Sequence, residues 1–558
     1  MSPLASRKER PWWRDAVTYQ IYPRSYADSN GDGIGDVEGI RSRLPYLKQL
    51  GIDAIWISPW YPSPQHDHGY DVSDYMDIEP DYGTLAQAET LIKEANDLGI
   101  KLIVDIVPNH TSSDHKWFQA ALKARPGSPE RDRYMFRDGK GPNGDLPPNN
   151  WEAVFGGCAW ERVIEADGKP GQWYLHLFAV EQPDLNWENP EVVAHLEDVL
   201  KFWLDRGVAG FRIDVAHGMF KEAGLPDIRK DPAASMLGTE HKPFWDQEGV
   251  HDIYRSWRKI LDSYPGDRMA VAEAWVSPSE RIARYVRSDE LQNSFNFEML
   301  TTLWDAKEIK TKINNSIDAL EEVGAPTSWV FNNHDVVRSV DRLDLGLTNH
   351  GDTTLSRQGD PKKLNIARGT LRARSAALMT LALPGGTYLY QGEELAVPEV
   401  RDIPEDRLTD PRWKMSGYSD RGRDGCRVPM PWTSNPAGAF GFSTNASLKP
   451  EQAWLPQSSW WGTYAVDTQD GVEGSTLSMY RKALAIRKGE EGLGDGPMEW
   501  IEAGKDVVAF ERPGDFACYI NFGAPIELPS NSQVLVSSGP ITGHTLPTDT
   551  AAWVRLVS

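Results

Sequence analysis

Residues 102–110 read Leu-Ile-Val-Asp-Ile-Val-Pro-Asn-His, an apolar run that ends in polar side chains. Helix-like segments such as Leu85–Leu98 and Val192–Leu204 separate many similar stretches, with apolar residues three and four positions apart. Alternating strands and helices predict parallel strands joined by crossovers, and eight of them suit a (β/α)8 TIM barrel. The other seven strand-like stretches are Ala16–Tyr26, Ala54–Trp60, Gly210–Asp214, Ala270–Trp275, Asn293–Met299, Ser328–Asp335 and Thr387–Glu394.

Length and charge narrow the class of protein. The 558 residues carry 59 Lys and Arg against 81 Asp and Glu, a net charge of −22. This acidic balance argues against nucleic-acid and anionic-membrane partners, because both need basic patches. The three cysteines, Cys158, Cys426 and Cys518, lie far apart, and no apolar run approaches 18 residues. We therefore predict a soluble cytoplasmic protein without a disulfide framework.

The chain divides into three regions. Residues 12–110 and 190–488 carry the strand–helix pattern and are predicted to form the barrel. Residues 111–189, rich in Pro, Gly and Trp, are too long for a plain loop and are predicted to form a small domain inserted after strand three. Residues 489–558 show short apolar segments between Gly and Pro, which predicts a C-terminal all-β sandwich domain.

Four predicted strand ends carry acidic and basic side chains: Asp105–His110, Gly210–Asp214, Ala272–Trp275 and Phe331–Asp335. The carboxyl ends of barrel strands meet at one face, so these side chains should converge. A single Asp at a strand end is more often a helix cap or a surface charge. Several carboxylates with His and Arg at one barrel mouth instead suit glycoside hydrolysis, which needs one carboxyl as acid/base and another as nucleophile or base.

These segments resemble the short signature regions of the α-amylase family, glycoside hydrolase family 13, and the resemblance extends over nearly the whole chain. Gln182-Pro-Asp-Leu-Asn-Trp187, in the predicted insertion, is similar to the motif of the α-glucosidase and oligo-1,6-glucosidase branch. The resemblance implies a substrate contact for Gln182. It also implies a retaining hydrolase without an organic cofactor.

The resemblance assigns a role to each matching residue. Asp214 would be the nucleophile and Glu273 the acid/base, while Asp335 would hold the ring hydroxyls of the sugar at the transition state. Arg212 would orient Asp214 and favour its ionised form. His110 and His334 would donate hydrogen bonds to sugar hydroxyls, although a lone His is more often a satisfied core residue.

A second set of residues is expected to close one end of the substrate-binding groove at the barrel mouth. In this branch the residues matching Asp67 and Arg427 clamp the terminal glucose, so that only a chain end fits. Tyr70 would stack beneath that sugar, with Phe155 and Phe178 as walls. An alternative interpretation of His66-Asp67-His68 is a metal site, but no suitable further ligand is evident in the sequence.

Residues 28–36, Asp-Ser-Asn-Gly-Asp-Gly-Ile-Gly-Asp, place oxygen ligands at alternate positions, as the start of an EF-hand loop does. The Glu expected at loop position 12 is replaced by Gly39, and no EF-hand helix pair is predicted. The stretch resembles the structural Ca²⁺ loop of this branch. The alternative is a Gly/Asp turn without an ion. The predicted ligands are Asp28, Asn30, Asp32, the Ile34 carbonyl and Asp36.

The leading hypothesis is an exo-acting α-glucosidase that releases glucose from the non-reducing end of short α-glucosides, with maltose-type substrates first. Val215 after the nucleophile favours α-1,6 bonds in this branch, but the following Ala216-His217 departs from the oligo-1,6-glucosidase pattern. A sucrose-acting transglucosidase or isomerase is the second enzymatic hypothesis. A non-catalytic binding subunit is a third, which the retained carboxylates disfavour. The expected partner is a small oligosaccharide or disaccharide, and the expected assembly is a monomer or homodimer.

Overall fold

The computed structural model describes residues 9–228, 242–348 and 359–557. Eight parallel strands within these ranges form one sheet. The strands are β1 (Val17–Ile21), β2 (Ala54–Ile57), β3 (Lys101–Ile106), β4 (Gly210–Ile213), β5 (Met269–Ala272), β6 (Asn293–Ser294), β7 (Ser328–Val330) and β8 (Gly386–Tyr390). Their order in the sheet is β7-β8-β1-β2-β3-β4-β5-β6. A single parallel bridge between Asn296 and Trp329 joins the two ends of this sheet, β6 to β7, and completes the predicted barrel.

Strand register explains why charged side chains meet at the barrel mouth. Asp105 on β3 pairs with Arg212 on β4, so both side chains project to the same side of the sheet. Ile213 at the end of β4 pairs with Ala272 at the end of β5. The residues that follow, Asp214 and Glu273, therefore leave neighbouring strands at the same level.

Helices cover the outside of the barrel, and several begin at residues that cap them. Thr84 forms a capping box with Gln87 at the start of one helix, and the Asn189 side chain accepts the Glu191 N–H at the start of another. The helices of the barrel region are Val37–Ser42, Leu44–Leu50, Leu85–Asp97, Pro190–Asp205, Gly249–Asp262, Ser279–Ala283, Ala306–Glu321, Ser339–Leu345, Ile366–Ala382, Pro411–Met415, Ala437–Gly441, Val466–Gln469 and Thr476–Gly489. None of the described helices is long and apolar enough to cross a membrane.

The segment between β3 and the helix Pro190–Asp205 contains a three-stranded antiparallel sheet. Its strands are Phe136–Arg137, Trp160–Ile164 and Pro170–Leu175, and its helices are Lys116–Lys123 and Pro129–Asp132. An apolar cluster at its base contains Phe155 and Phe178 and also includes Val215, the residue after Asp214. The insertion is therefore packed directly against the mouth of the barrel.

The C-terminal region forms a five-stranded antiparallel sheet and a separate two-stranded ribbon. One face of the larger sheet packs on the barrel helix Ile366–Ala382, where the Trp553 indole donates to the Leu378 carbonyl at 2.9 Å. Residues of the opposite face, such as Ala509, form their own apolar cluster with the ribbon. The five strands are Glu499–Trp500, Val507–Arg512, Phe516–Asn521, Ser532–Ser537 and Thr550–Leu556, and the ribbon joins Ile526–Glu527 to Thr545–Leu546.

The fold class predicted from the sequence is confirmed, but the sixth strand is much shorter than its predicted range 293–299. The strand ends at Ser294, and a short 3₁₀ helix covers Phe297–Met299. The Asn296 side chain accepts the Glu298 N–H at 3.1 Å, and this cap starts the helical turn. The aromatic residues of this stretch thus lie in a turn at the barrel mouth.

Candidate active site

Arg212 joins the two predicted catalytic carboxylates at the barrel mouth. Its Nη1 lies 2.5 Å from Asp214 Oδ1, and its Nη2 lies 2.7 Å from Glu273 Oε2. Nη1 also contacts Asp105 Oδ1 at 3.0 Å. One guanidinium thus serves three buried carboxyl groups.

The shortage of positive charge in this group affects its protonation. Burial raises the pKa of Asp214 well above its ordinary value, and the neighbouring Glu273 and Asp105 carboxylates add to the rise against the opposing Arg212. Burial also raises the pKa of Asp105 to about 7, although Arg212 acts in the opposite direction. The group therefore retains a proton near neutral pH.

A second arginine-centred group lies beside the first. The Asp335 Oδ1 atom is 2.9 Å from Arg423 Nη1 and also 2.9 Å from Arg427 Nη2. Its other oxygen, Oδ2, lies 3.3 Å from His334 Nε2. Burial acts to raise the pKa of Asp335, but the adjacent His334 and the two arginines outweigh it and hold that pKa well below its usual range. Asp335 is therefore ionised, in the state needed to bind sugar hydroxyls.

Asp67 pairs with a different arginine from the one predicted to clamp the terminal glucose with it. Arg423 Nη2, not Arg427, contacts Asp67 Oδ1, at 2.8 Å. Arg427 instead directs Nη1 to the His68 ring at 2.7 Å and Nη2 to Asp335. Asp410 determines this choice, because its carboxylate accepts both the backbone N–H and the side-chain Nε–H of Arg423 at 2.7 Å each.

Gln182 and His110 complete the polar wall on the side of the insertion. The Gln182 amide donates to Asp67 Oδ2 at 3.2 Å and lies 3.1 Å from the His110 ring. Burial lowers the pKa of His110 to about 4, so the ring is neutral and still has one N–H to donate. The structure thus brings the signature Gln182 next to the Asp67 carboxylate.

Aromatic rings surround these polar groups. The Tyr70 ring stacks on His334 with centroids 5.1 Å apart and a 7° interplanar angle, and its hydroxyl donates to Asp105 at 3.2 Å. Phe178 contacts Phe155 at 5.8 Å between centroids. The Arg423 guanidinium lies 5.2 Å from the Phe155 centroid. All the catalytic and sugar-binding residues expected from the sequence therefore lie in one connected group.

Residues 28–36 lie apart from this group, in the loop after β1. Asp28 accepts the N–H groups of Gly31 and Gly33, and Asp36 accepts that of Gly39. Asp28 and Asp36 are both buried, and within the described residues no Lys or Arg forms an ion pair with either. Their charge and the all-oxygen donor set fit a bound Ca²⁺ ion. Across the described ranges, however, no three His, Cys, Asp or Glu side chains converge as ligands.

The sequence analysis assigned no site role to four residues that take part in the site: Asp105, Asp410, Arg423 and Trp275. Asp105 and Arg423 stand inside motifs that the sequence does mark, at a strand end and in Gly422–Arg427. Trp275 donates its indole N–H to Glu273 Oε1 at 3.1 Å. Asp410 carries no local signal, since only the folded loop brings it to Arg423.

Comparison with known proteins agrees with this geometry. The family model described as alpha amylase, catalytic domain, matches residues 20–496. The chain belongs to the α-amylase family. The family, the fold and the enzyme class predicted from the sequence, a glycoside hydrolase, are confirmed.

Within the α-amylase family, the chain is similar to enzymes with different named activities. A probable α-glucosidase of Rhizobium meliloti strain 1021 is 37% identical over 554 residues, 96% of this chain and 93% of the relative. An oligo-1,6-glucosidase of Parageobacillus thermoglucosidasius is 37% identical over 511 residues, 86% of this chain and 84% of the relative. The crystal structure of an α-glucosyl transfer enzyme, XgtA, matches with a TM-score of 0.83 and 34% identity, covering 98% of this chain and 100% of that one.

Proposed function

We propose that the protein is a retaining, exo-acting α-glucosidase that releases glucose from the non-reducing end of short α-glucosides, with maltose-type substrates preferred. The observation that carries the proposal is that one guanidinium, Arg212, contacts both carboxyl groups, Asp214 Oδ1 at 2.5 Å and Glu273 Oε2 at 2.7 Å. A shared guanidinium holds the two groups close together, which suits the spacing of about 5–5.5 Å in retaining enzymes better than the about 6.5–9.5 Å that inverting enzymes leave for a water molecule.

The two carboxyl groups account for both steps of the reaction. With the proton on Glu273, the Asp214 carboxylate attacks the anomeric carbon while Glu273 protonates the leaving glycosidic oxygen. Bond formation to the sugar removes the negative charge of Asp214, so Glu273 can remain ionised. Glu273 then takes a proton from water, whose oxygen attacks the anomeric carbon and releases Asp214. The Arg212 guanidinium stays in contact with both groups.

The exo-action follows from the second group. Asp67 and Asp335 are held by Arg423, and the Phe155 ring lies against the same guanidinium. These residues would recognise the hydroxyls of a terminal glucose and block extension of the chain beyond it. The substrate is thus expected to enter with its non-reducing end first.

A specific observation favours a second candidate, action on α-1,6 bonds or transfer of glucose to a sugar acceptor. Val215 lines the apolar cluster that joins the nucleophile loop to the insertion, and it is the residue type found in α-1,6-acting relatives. The similarity to an oligo-1,6-glucosidase and to an α-glucosyl transfer enzyme supports the same candidate.

Side-by-side hydrolysis of maltose, isomaltose, sucrose and starch tests the proposal. We expect glucose as the first product from maltose and from starch ends, without large fragments. Rapid release of large fragments from starch would contradict exo-action. A product mixture dominated by new disaccharides would favour the transfer candidate instead.

We also propose that the loop of residues 28–36 binds Ca²⁺ as a structural ion. The buried Asp28 and Asp36 carboxylates, unpaired with any described Lys or Arg, support this. Binding to the native state alone would raise the melting temperature by a few degrees. Differential scanning fluorimetry with Ca²⁺ and with EDTA measures this, and Asp28→Asn should remove the difference. Equal melting curves in Ca²⁺ and EDTA would contradict the proposal.

We propose a cytoplasmic location and a monomeric or homodimeric state. All three cysteines are free, and Cys426 and Cys518 are buried, which suits a reducing compartment. Light scattering coupled to gel filtration measures the oligomeric state directly.

A further inference from the structure

The two oxygens of the Glu273 carboxyl have different surroundings. Oε2 accepts the Val215 backbone N–H at 3.0 Å and contacts Arg212 Nη2 at 2.7 Å. Oε1 accepts the Trp275 indole N–H at 3.1 Å. Since Oε2 already accepts from two donors, Oε1 is the oxygen with a lone pair left to exchange a proton with the substrate.

The Trp275 ring is itself fixed in place. It stacks on Phe297 with centroids 4.0 Å apart and a 17° interplanar angle. Phe297 begins the 3₁₀ turn that Asn296 caps, and Asn296 in turn donates to the Ser316 hydroxyl at 2.6 Å. The indole N–H is therefore aimed at the carboxyl by a ring stack and a capped turn.

We propose that Trp275 is a positioning residue for the acid/base: its indole N–H orients Glu273 so that Oε1 delivers the proton to the leaving oxygen and later removes one from water. The inference deepens the proposed function and rests on it.

Other groups facing Glu273 remain in place when Trp275 changes. The charged or titratable neighbours are Asp105 on β3, Arg212 and Asp214 at the end of β4, and His217 three residues beyond Asp214. None of them has Trp275 as a hydrogen-bond partner. A loss of activity confined to the substrate that needs a proton therefore reports the indole donor.

The test compares two substrates in Trp275→Phe, which retains a ring against Phe297 and removes the N–H. Maltose needs protonation of its leaving oxygen, whereas α-glucosyl fluoride does not. We expect kcat/KM for maltose to fall about tenfold and kcat/KM for α-glucosyl fluoride to stay within about twofold.

Two further variants control the experiment. Trp12→Phe removes the indole donor to the carbonyl of Asp267, which precedes β5 at the end of the barrel opposite the mouth, and should change activity on neither substrate. Phe297→Leu retains the indole donor and loosens its support, so a smaller loss on maltose is expected. Circular dichroism checks that each variant is folded.

Equal loss on both substrates in Trp275→Phe would overturn the proposal and make Trp275 a packing residue. Unchanged kcat/KM for maltose would overturn it as well. Failure of the proposed function would look different, because the unmodified protein would then hydrolyse neither maltose nor α-glucosyl fluoride.

Discussion

Two buried arginines organise the mouth of the barrel, and the groups around them differ in the number of cations available to the carboxyl groups. Arg212 alone contacts three carboxyl groups, those of Asp105, Asp214 and Glu273. Arg423 also contacts three, but Arg427 shares Asp335 with it. The first group keeps a proton, whereas Asp335 in the second is ionised. The number of cations per carboxylate therefore separates proton transfer from sugar binding within one pocket.

Removal of the nucleophile tests the first group most severely. Asp214→Asn keeps the size of the side chain but cannot form the covalent intermediate, so kcat should fall by about four to six orders of magnitude. Initial rates on maltose measure this, with circular dichroism to confirm folding. Activity close to that of the unmodified protein would contradict the mechanism.

The two arginines of the second group can be distinguished by substitution. A lysine cannot reproduce the forked contacts of Arg423 to Asp67, Asp335 and Asp410, so Arg423→Lys should lower kcat/KM for maltose about 10–100-fold. Arg423→Lys and the matched variant Arg427→Lys are each combined with Asp67→Asn in a double-mutant cycle.

Strong coupling between Asp67 and Arg423, of about 1 kcal/mol or more, is expected, with weaker coupling between Asp67 and Arg427. The matched variant Arg427→Lys supplies the second cycle. Stronger coupling to Arg427 would show that the observed pairing is not the one that operates in solution.

The smallest effect concerns the pH dependence of stability. The folded-state pKa of Asp105 is about 7, above an ordinary value of about 3.9. Its contribution to stability is therefore complete below pH about 4 and is lost as the pH rises through about 7. Asp105→Asn should reduce the fall in melting temperature between pH 5 and pH 8. An identical fall in both proteins would contradict the shifted pKa.

Much of the site could be predicted because it sits at strand ends. Asp214 and Glu273 follow short apolar strands directly, and the parallel register guarantees that such residues meet. Asp335 follows β7 in the same way. The barrel and the location of its chemistry therefore depend on local patterns that a sequence displays.

The clamp arginine could not be predicted for an equally physical reason. Arg423 and Arg427 occur four residues apart in one motif, and both are fit to bind a carboxylate. The choice depends on Asp410, thirteen residues upstream, and on Gly422, whose φ of +66° turns the chain where a Cβ would lie 2.5 Å from Asp410 Cγ. Contacts of this kind arise only after the loop has folded.

The closure of the barrel has a consequence for its dynamics. Between β6 and β7 one bridge, Asn296 to Trp329, replaces the continuous ladders that join the other neighbours. Local opening breaks the fewest backbone hydrogen bonds at this seam, so its amides should exchange with deuterium before those of β3 and β4. Phe297 follows the bridge directly and supports Trp275. Local opening between β6 and β7 would thus displace Trp275 and its partner Glu273 before any other residue of the catalytic group.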